Sequence, residues 1–257
     1  MSRIITLTTD FGLQDYYVGV AKGMLLSHCP DINIVDISHT VKNFDIVQAS
    51  FILQNTWHVF SDNTIHIVSV NNLGGDNHRY LVFEHEKHFF IGPDNGIFSL
   101  MFEKIPPRVF ALPLSGLQFR PIIEVILTIV QNIINGSEYE TWSSPAGEII
   151  QRFVLKPVIN RNQIRGSVIY IDNFDNIILN ITKELFEEVG KGRAFQLFFK
   201  RHDPILRISA HYNEVPIGDT LCLFNHNNHL EIAIHMGKAA EMHGLKIEDM
   251  VQIDFFS

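Results

Sequence analysis

Asp10 and Asp15 lie in Thr8-Thr9-Asp10-Phe11-Gly12-Leu13-Gln14-Asp15, a polar stretch that follows the apolar run Ile4, Ile5 and Leu7. A helical pattern begins near Asp15, with Val18, Ala21, Met24 and Leu25 on one face. Strand, polar glycine-bearing turn, then helix is how an α/β domain opens, and such domains bind ligands beyond the carboxyl ends of their strands. Carboxylates placed there suit a sugar hydroxyl or a cation, through charge-assisted hydrogen bonds. The same spacing also suits an Asp15 that N-caps the helix and an Asp10 that shapes the turn. A second polar set, Asp172 and Asn176 in IDNFDN, reads equally as a hairpin turn. Among 13 histidines, His85 and His88 cluster in His85-Glu86-Lys87-His88, the charged tip of an expected hairpin. No spacing among them matches a zinc motif, so no metal is expected.

The elements that must position these groups follow in order. Ile32 to Ile37 forms a second strand ending at Ser38-His39-Thr40, and a helix spans about Asp45 to Trp57. Ile65 to Val70 is a third strand leading into the polar loop Asn71 to Arg79. Tyr80 to Glu84 and His88 to Ile91 pair as strands, Gly92-Pro93-Asp94-Asn95-Gly96 is a tight turn, and Ile122 to Ile134 is a helix. This alternation predicts a mostly parallel sheet flanked by helices. Periodicity fades from Asn135 to Pro157, where glycine, serine and proline cluster. Beyond it come short strands: Gly166 to Ile171, Ile177 to Asn180, Phe195 to Lys200, Leu206 to Ala210, Leu221 to Phe224, Leu230 to Ile234 and Val251 to Phe255. That spacing suggests a small barrel or sandwich. The expected organisation is an α/β domain over 1–150, a linker at 151–165 and a smaller β domain over 166–257.

Length and charge narrow the partners. A chain of 257 residues holds one large or two smaller domains, and a net charge of −8 argues against nucleic acid as the main partner. No apolar run approaches the ~20 residues of a membrane-spanning helix. The opening MSRIITLTTDFG runs straight into a strand without the architecture of a secretory signal. Two cysteines, Cys29 and Cys222, do not make a disulfide framework, so a reducing, cytoplasmic setting is expected.

Five stretches, TLTTDFGLQDYYVGVAKG, IVDISHTVKNFDIVQASFIL, FIGPDNGIFS, GSVIYIDNFDNIILNIT and LEIAIHMGKAAEMHGLKIEDMVQI, occur in this order across nearly the whole chain. Together they resemble the S-adenosyl-L-methionine (SAM) hydroxide adenosyltransferase family, related to the SAM-dependent chlorinases and fluorinases. A kinase reading of Asp10-Phe11-Gly12 fails, because no catalytic-loop motif or strand lysine accompanies it. The resemblance implies an N-terminal α/β domain and a C-terminal β-barrel. It also implies a homotrimer that holds SAM between one subunit's N-domain and a neighbour's C-domain, with no cofactor besides this substrate or ligand. Carried over, Asp10 holds the ribose hydroxyls, Asp15 and Tyr17 share its binding turn, and Phe44 fills an aromatic slot by the nucleoside. Asp172, Phe174 and Asn176 hold the methionine end, and the 225–236 hairpin, ending near His235, contacts adenine.

The implied catalytic set is altered. Family enzymes activate water with aspartate and arginine from a loop reading roughly VVDPGVGTxRR, and histidine from a segment reading roughly TFHGRD. Here the loop reads VSVNNLGGDNHRYL, so Asn71 takes the aspartate slot and His78 the first arginine slot, with Arg79 beside it. The second segment reads SGLQFRPIIEV, with Phe119 or Arg120 in the histidine slot. Asn71 cannot accept a proton, whereas His78 could act as a base near neutral pH and Arg79 could serve as the arginine; both are also ordinary loop residues. Two readings remain open: a SAM hydrolase that releases adenosine and methionine, and an inactive SAM or adenosine sensor of the same fold.

Overall fold

The computed structural model describes residues 2–74, 78–114, 116, 118–200 and 203–256. The chain divides into two compact units, Met1–Phe153 and Val154–Ser257.

The first unit runs β1 (Arg3–Thr9), α1 (Tyr17–His28), β2 (Ile32–Ser38), α2 (Ile46–Gln54), β3 (Ile65–Ser69), β4 (Arg79–His85), β5 (His88–Pro93), α3 (Ile97–Met101), β6 (Val109–Pro113), α4 (Phe119–Ile134) and β7 (Ser144–Pro145). Its sheet has the order β2-β1-β3-β5-β4-β6-β7. The pairs β1/β2, β1/β3 and β3/β5 are parallel, whereas β4 is antiparallel to both β5 and β6. Five strands therefore share one direction, and only β4 and β7 run against it. Side chains alternate across the pleat. Ile5, Leu7, Ile65 and Ile67 face α1 and α4, while Val68, Leu81, Phe83 and Phe90 pack in a second core with α2 and α3.

Helix α4 shows why the layers hold. It buries Ile122, Ile123, Ile126, Leu127, Ile129, Val130 and Ile133, a stripe with helical period. Each such side chain contributes about 1.5–3 kcal/mol when taken out of water. The turn before α3 requires glycine. Gly96 sits at φ 97°, and a Cβ there would run into the Arg152 side chain.

The second unit runs β8 (Val158–Asn160), β9 (Gln163–Ile171), β10 (Ile177–Thr182), α5 (Lys183–Gly190), β11 (Ala194–Phe198), β12 (Thr220–Phe224), β13 (His229–Ile234), α6 (Ala239–His243) and β14 (Met250–Phe256). Its strands pair antiparallel in the order β11-β14-β9-β10-β13-β12, with β8 on β9. The two edges of this sheet are joined. Ile205 bridges to Leu197 on β11, and Ile208 bridges to Cys222 on β12, which curls the sheet into the expected barrel. Leu206 to Ala210, expected as a strand, is that joining segment instead. It makes single bridges rather than a ladder, and Leu206 stays 60% exposed. Inward-facing Leu230, Ile232 and Ile234 alternate along β13.

Candidate functional site

In the first unit, β1 connects to β2 through α1 on one face, and β2 returns to β3 through α2 on the other. The connections thus diverge between β1 and β3, and a crevice at such a switch point is where open α/β sheets hold ligands. Asp10, just past β1, and Asn71, just past β3, flank it. The Asp10 Oδ2 accepts the Phe44 N–H at 3.0 Å and the Asn71 N–H at 3.2 Å. The Asn43 amide donates to the Asp10 carbonyl at 3.2 Å. Three strand-end loops therefore converge on one acidic residue. Among the described residues both side-chain contacts fall on Oδ2, and none falls on Oδ1.

Phe44 and Asn71 have φ of 68° and 50°, and both donate to the same carboxylate oxygen. Left-handed backbone is costly for an aromatic residue and is kept where its surroundings enforce it. Here the charge-assisted bonds to Asp10 supply that enforcement. The Phe44 ring is 71% exposed, a flat apolar surface standing beside the carboxylate. Asn95, buried at the end of β5, fixes the other side of the loop. Its Nδ2 donates to the Val70 and Asn71 carbonyls at 3.0 Å each, and its Oδ1 accepts the Ile97 N–H of α3 at 3.1 Å. A Cβ on Gly74 would collide with the Asn71 side chain, so the loop closes tightly over Asn71.

Beneath this loop lies a polar cluster that sequence reading missed. Tyr80 donates to Asn72 Oδ1 at 2.5 Å and Ser69 donates to the same oxygen at 3.0 Å. Burial raises the Tyr80 phenol well above its usual range, and the nearby Asp10 charge adds to the effect. No motif signals this cluster, because its members come from β3, the loop after it and β4.

The other expected residues of this unit are placed as follows. Tyr17 is the first residue of α1, and its ring lies 4.8 Å from that of Phe119 and 6.3 Å from that of Phe11. Phe119 also meets Phe11 edge-on at 5.3 Å, so of the two residues expected in the histidine slot this one packs against the binding turn. Arg120 instead pairs with Glu124 on the exposed face of α4. Asp15 is exposed and caps nothing: the N-cap of α1 is Tyr16, with no side-chain capping bond. His78 is exposed, with φ 40°. Arg79 is committed inward. Its Nε reaches Asp94 Oδ2 at 2.8 Å, and its terminal nitrogens reach the Ala146 and Glu148 carbonyls at 2.8 and 2.7 Å. Asp94 also accepts the Ile150 N–H, so this pair clasps 146–150 to the sheet. The loop positions Gly75, Asp76 and Asn77, and Ser115 and Leu117 of the second segment, lie outside the described residues.

In the second unit, Asp172 and Asn176 bracket the turn between β9 and β10. Asp172 Oδ1 accepts the Phe174 and Asn176 N–H groups at 2.9 and 2.8 Å, and Oδ2 accepts the Asn176 amide at 3.0 Å. This is the hairpin-turn role. An ionised carboxylate accepts about four hydrogen bonds, so acceptor capacity remains on Oδ2. Phe174 stands 75% exposed at the tip. In the β12–β13 hairpin, Asn225 Oδ1 accepts the Asn227 and His229 N–H groups at 3.1 Å each, and past β13 His235 Nδ1 lies 2.7 Å from the Val215 carbonyl. Sequence reading also missed Glu231, a buried carboxyl on β13 that accepts from Tyr212 at 2.7 Å. Burial raises its pKa. Among the described residues, no group of three or more His, Cys, Asp or Glu could hold a metal, and no helix is long and apolar enough to cross a membrane.

Known proteins fit this geometry. Residues 5–119 match the model of the SAM hydroxide adenosyltransferase N-terminal domain, and residues 166–252 match that of its C-terminal domain. A protein of Methanocaldococcus jannaschii named (R)-S-adenosyl-L-methionine hydrolase is 27% identical over 97% of this chain and 95% of its own length. A Thermus thermophilus protein of the same name is 25% identical over 95% and 96%. In fold, an uncharacterized conserved protein from Thermotoga maritima superposes with a TM-score of 0.85, at 24% identity over 97% of this chain and 99% of that one. The chain belongs to the SAM hydroxide adenosyltransferase family.

Proposed function

We propose that this protein binds SAM and hydrolyses it to adenosine and methionine. Water attacks the ribose C5′, the C5′–sulfur bond breaks with its electron pair going to sulfur, and one proton is released. The observation that carries this reading is the Asp10 carboxylate at the switch point, its Oδ2 held by the Phe44 and Asn71 N–H groups. Such a group takes a ribose hydroxyl, and the exposed Phe44 ring suits the nucleoside beside it. The relatives named as SAM hydrolases, matched along nearly their whole length, support the same reaction.

The leaving thioether is neutral, so its departure needs no general acid. The demand falls on the water, which must be positioned and relieved of its proton. Asn71 offers an amide that orients water without taking a proton, and the exposed imidazole of His78 is the base that takes it. Arg79 serves the site by clasping the loop through Asp94. At the methionine end we assign the ammonium to Asp172 and a flat contact to Phe174, with the 225–236 hairpin and His235 on the adenine side. Following the resemblance, we further propose a homotrimer in which these two half-sites come from different subunits, acting in the cytoplasm without a cofactor. Chromatography after incubation with SAM tests the activity, with equal adenosine and methionine expected.

A further inference from the structure

A line of polar side chains runs from solvent to the back of the Asp10 turn. Lys22 on α1 meets Asp36 on β2 at 2.5 Å, and Asp36 Oδ1 lies 3.0 Å from His39 Nε2. On the other side of the ring, His39 Nδ1 lies 2.8 Å from Thr9 Oγ1, the last side chain of β1. Thr9 and His39 are 2% and 4% exposed, so this end of the line is sealed from water. Asp36 Oδ1 stands at ion-pair distance from Nε2 without hydrogen-bonding it, so it acts on the ring through its charge, while Thr9 holds the other nitrogen. The Thr9 hydroxyl shares a hydrogen bond with Nδ1, and its oxygen accepts the Phe11 N–H at 3.3 Å. The His39 carbonyl adds another tie by accepting the Gly12 N–H at 2.7 Å. Thr9, Phe11 and Gly12 are thereby bound, directly or through one hydroxyl, to a single histidine. Asp10 lies between them.

We propose that His39 is a positioning residue for the ribose-binding carboxylate. The Lys22–Asp36–His39–Thr9 relay fixes the turn, and so sets the direction in which Asp10 meets a ligand. The inference rests on the assignment of Asp10 to the ribose, and it names a residue that touches no ligand. Two loops hold the Asp10 carboxylate from the front, and the relay holds its backbone from behind.

The test is calorimetric titration with adenosine, on Thr9→Val, His39→Leu and His39→Asn, each with and without Asp10→Ala, with melting curves as a check of the fold. Thr9→Val and His39→Leu should bind adenosine about three- to tenfold more weakly, the scale of one lost hydrogen bond. His39→Asn keeps an acceptor for Thr9 and should recover part of the loss. In the Asp10→Ala background, Thr9→Val should change nothing further, which a general structural defect would not reproduce. Wild-type affinity in Thr9→Val, beside a weakened Asp10→Ala, would overturn the relay alone. An undiminished Thr9→Val effect in the Asp10→Ala background would overturn it as well. Wild-type affinity in Asp10→Ala would instead overturn the site reading on which the relay rests.

Discussion

At the scale of single residues, Asp10 and Asp172 make separable demands on a ligand. Adenosine and SAM share the ribose diol, so Asp10→Ala should weaken both by about 1.5–3 kcal/mol, roughly ten- to a hundredfold. Only SAM carries the ammonium, so Asp172→Asn should weaken SAM by about 1–3 kcal/mol and leave adenosine unchanged. Titration of both ligands against both variants checks the pair, and equal losses for Asp172→Asn would make that residue purely a turn former. Phe44 carries a different prediction, because its φ of 68° suits glycine better than phenylalanine. Phe44→Gly should melt no lower than wild type while binding adenosine more weakly, as a strained binding residue would. The motifs single out Asp10 and Phe44 one by one, and the structure joins them through the Phe44 N–H. The strain at Phe44 was not legible, since φ has no sequence signature for a residue type that normally avoids that region.

At the scale of elements, the first sheet carries a buried histidine pair that the binding site does not use. His66 on β3 lies 2.8 Å from Thr6 Oγ1 of β1, and its Nε2 is 3.2 Å from His88 Nδ1 of β5. Burial depresses the His66 pKa to about 3, with the His88 charge adding to the effect, and burial lowers His88 also. Both groups gain protons on unfolding once the pH falls below about 6.5, the ordinary histidine value. The unfolded chain then binds more protons than the folded one, so stability is whole above pH 6.5 and falls as the pH drops towards 3. His66 contributes a slope of up to about 1.4 kcal/mol per pH unit in that window, and the lowered His88 adds in the same direction. Urea melts at pH 7, 6 and 5 should show this loss, and a Thr6→Val/His66→Leu variant should flatten it; an unchanged slope would assign the acid sensitivity elsewhere. Strand order was partly readable, because the alternation of strands and helices implied parallel pairing. The expected hairpin tip at His85 to His88 was placed correctly by its charge, yet His88 itself is buried. Its burial follows from a neighbouring strand and Trp57, which local pattern does not report.

At the scale of the whole molecule, the same limit separates what the sequence disclosed from what it hid. Two sets of residues assigned to one ligand lie in separate compact units. A homotrimer with sites shared between subunits would complete each site, so sedimentation at micromolar concentration should give three times the chain mass; a monomer unaffected by SAM would count against shared sites. The stretch from Asn135 onward looked like a connection because it lacks periodicity. Its Ala146 and Glu148 carbonyls are nevertheless held by Arg79, across a sequence distance that composition cannot reveal. The barrel was legible as a run of short strands, but its closure by 205–208 was not, since single bridges leave no alternating pattern. The catalytic question spans all three scales, because Asn71 stands where the resemblance calls for aspartate, and Phe119 or Arg120 where it calls for histidine. The measurement that meets it most directly is incubation of the purified protein with SAM, with adenosine and methionine followed by chromatography beside a binding titration. The account predicts both products in equal amounts, at a rate that falls when Asp10 is replaced by alanine. SAM bound but recovered intact would contradict it, and would make this chain a SAM-binding protein without turnover.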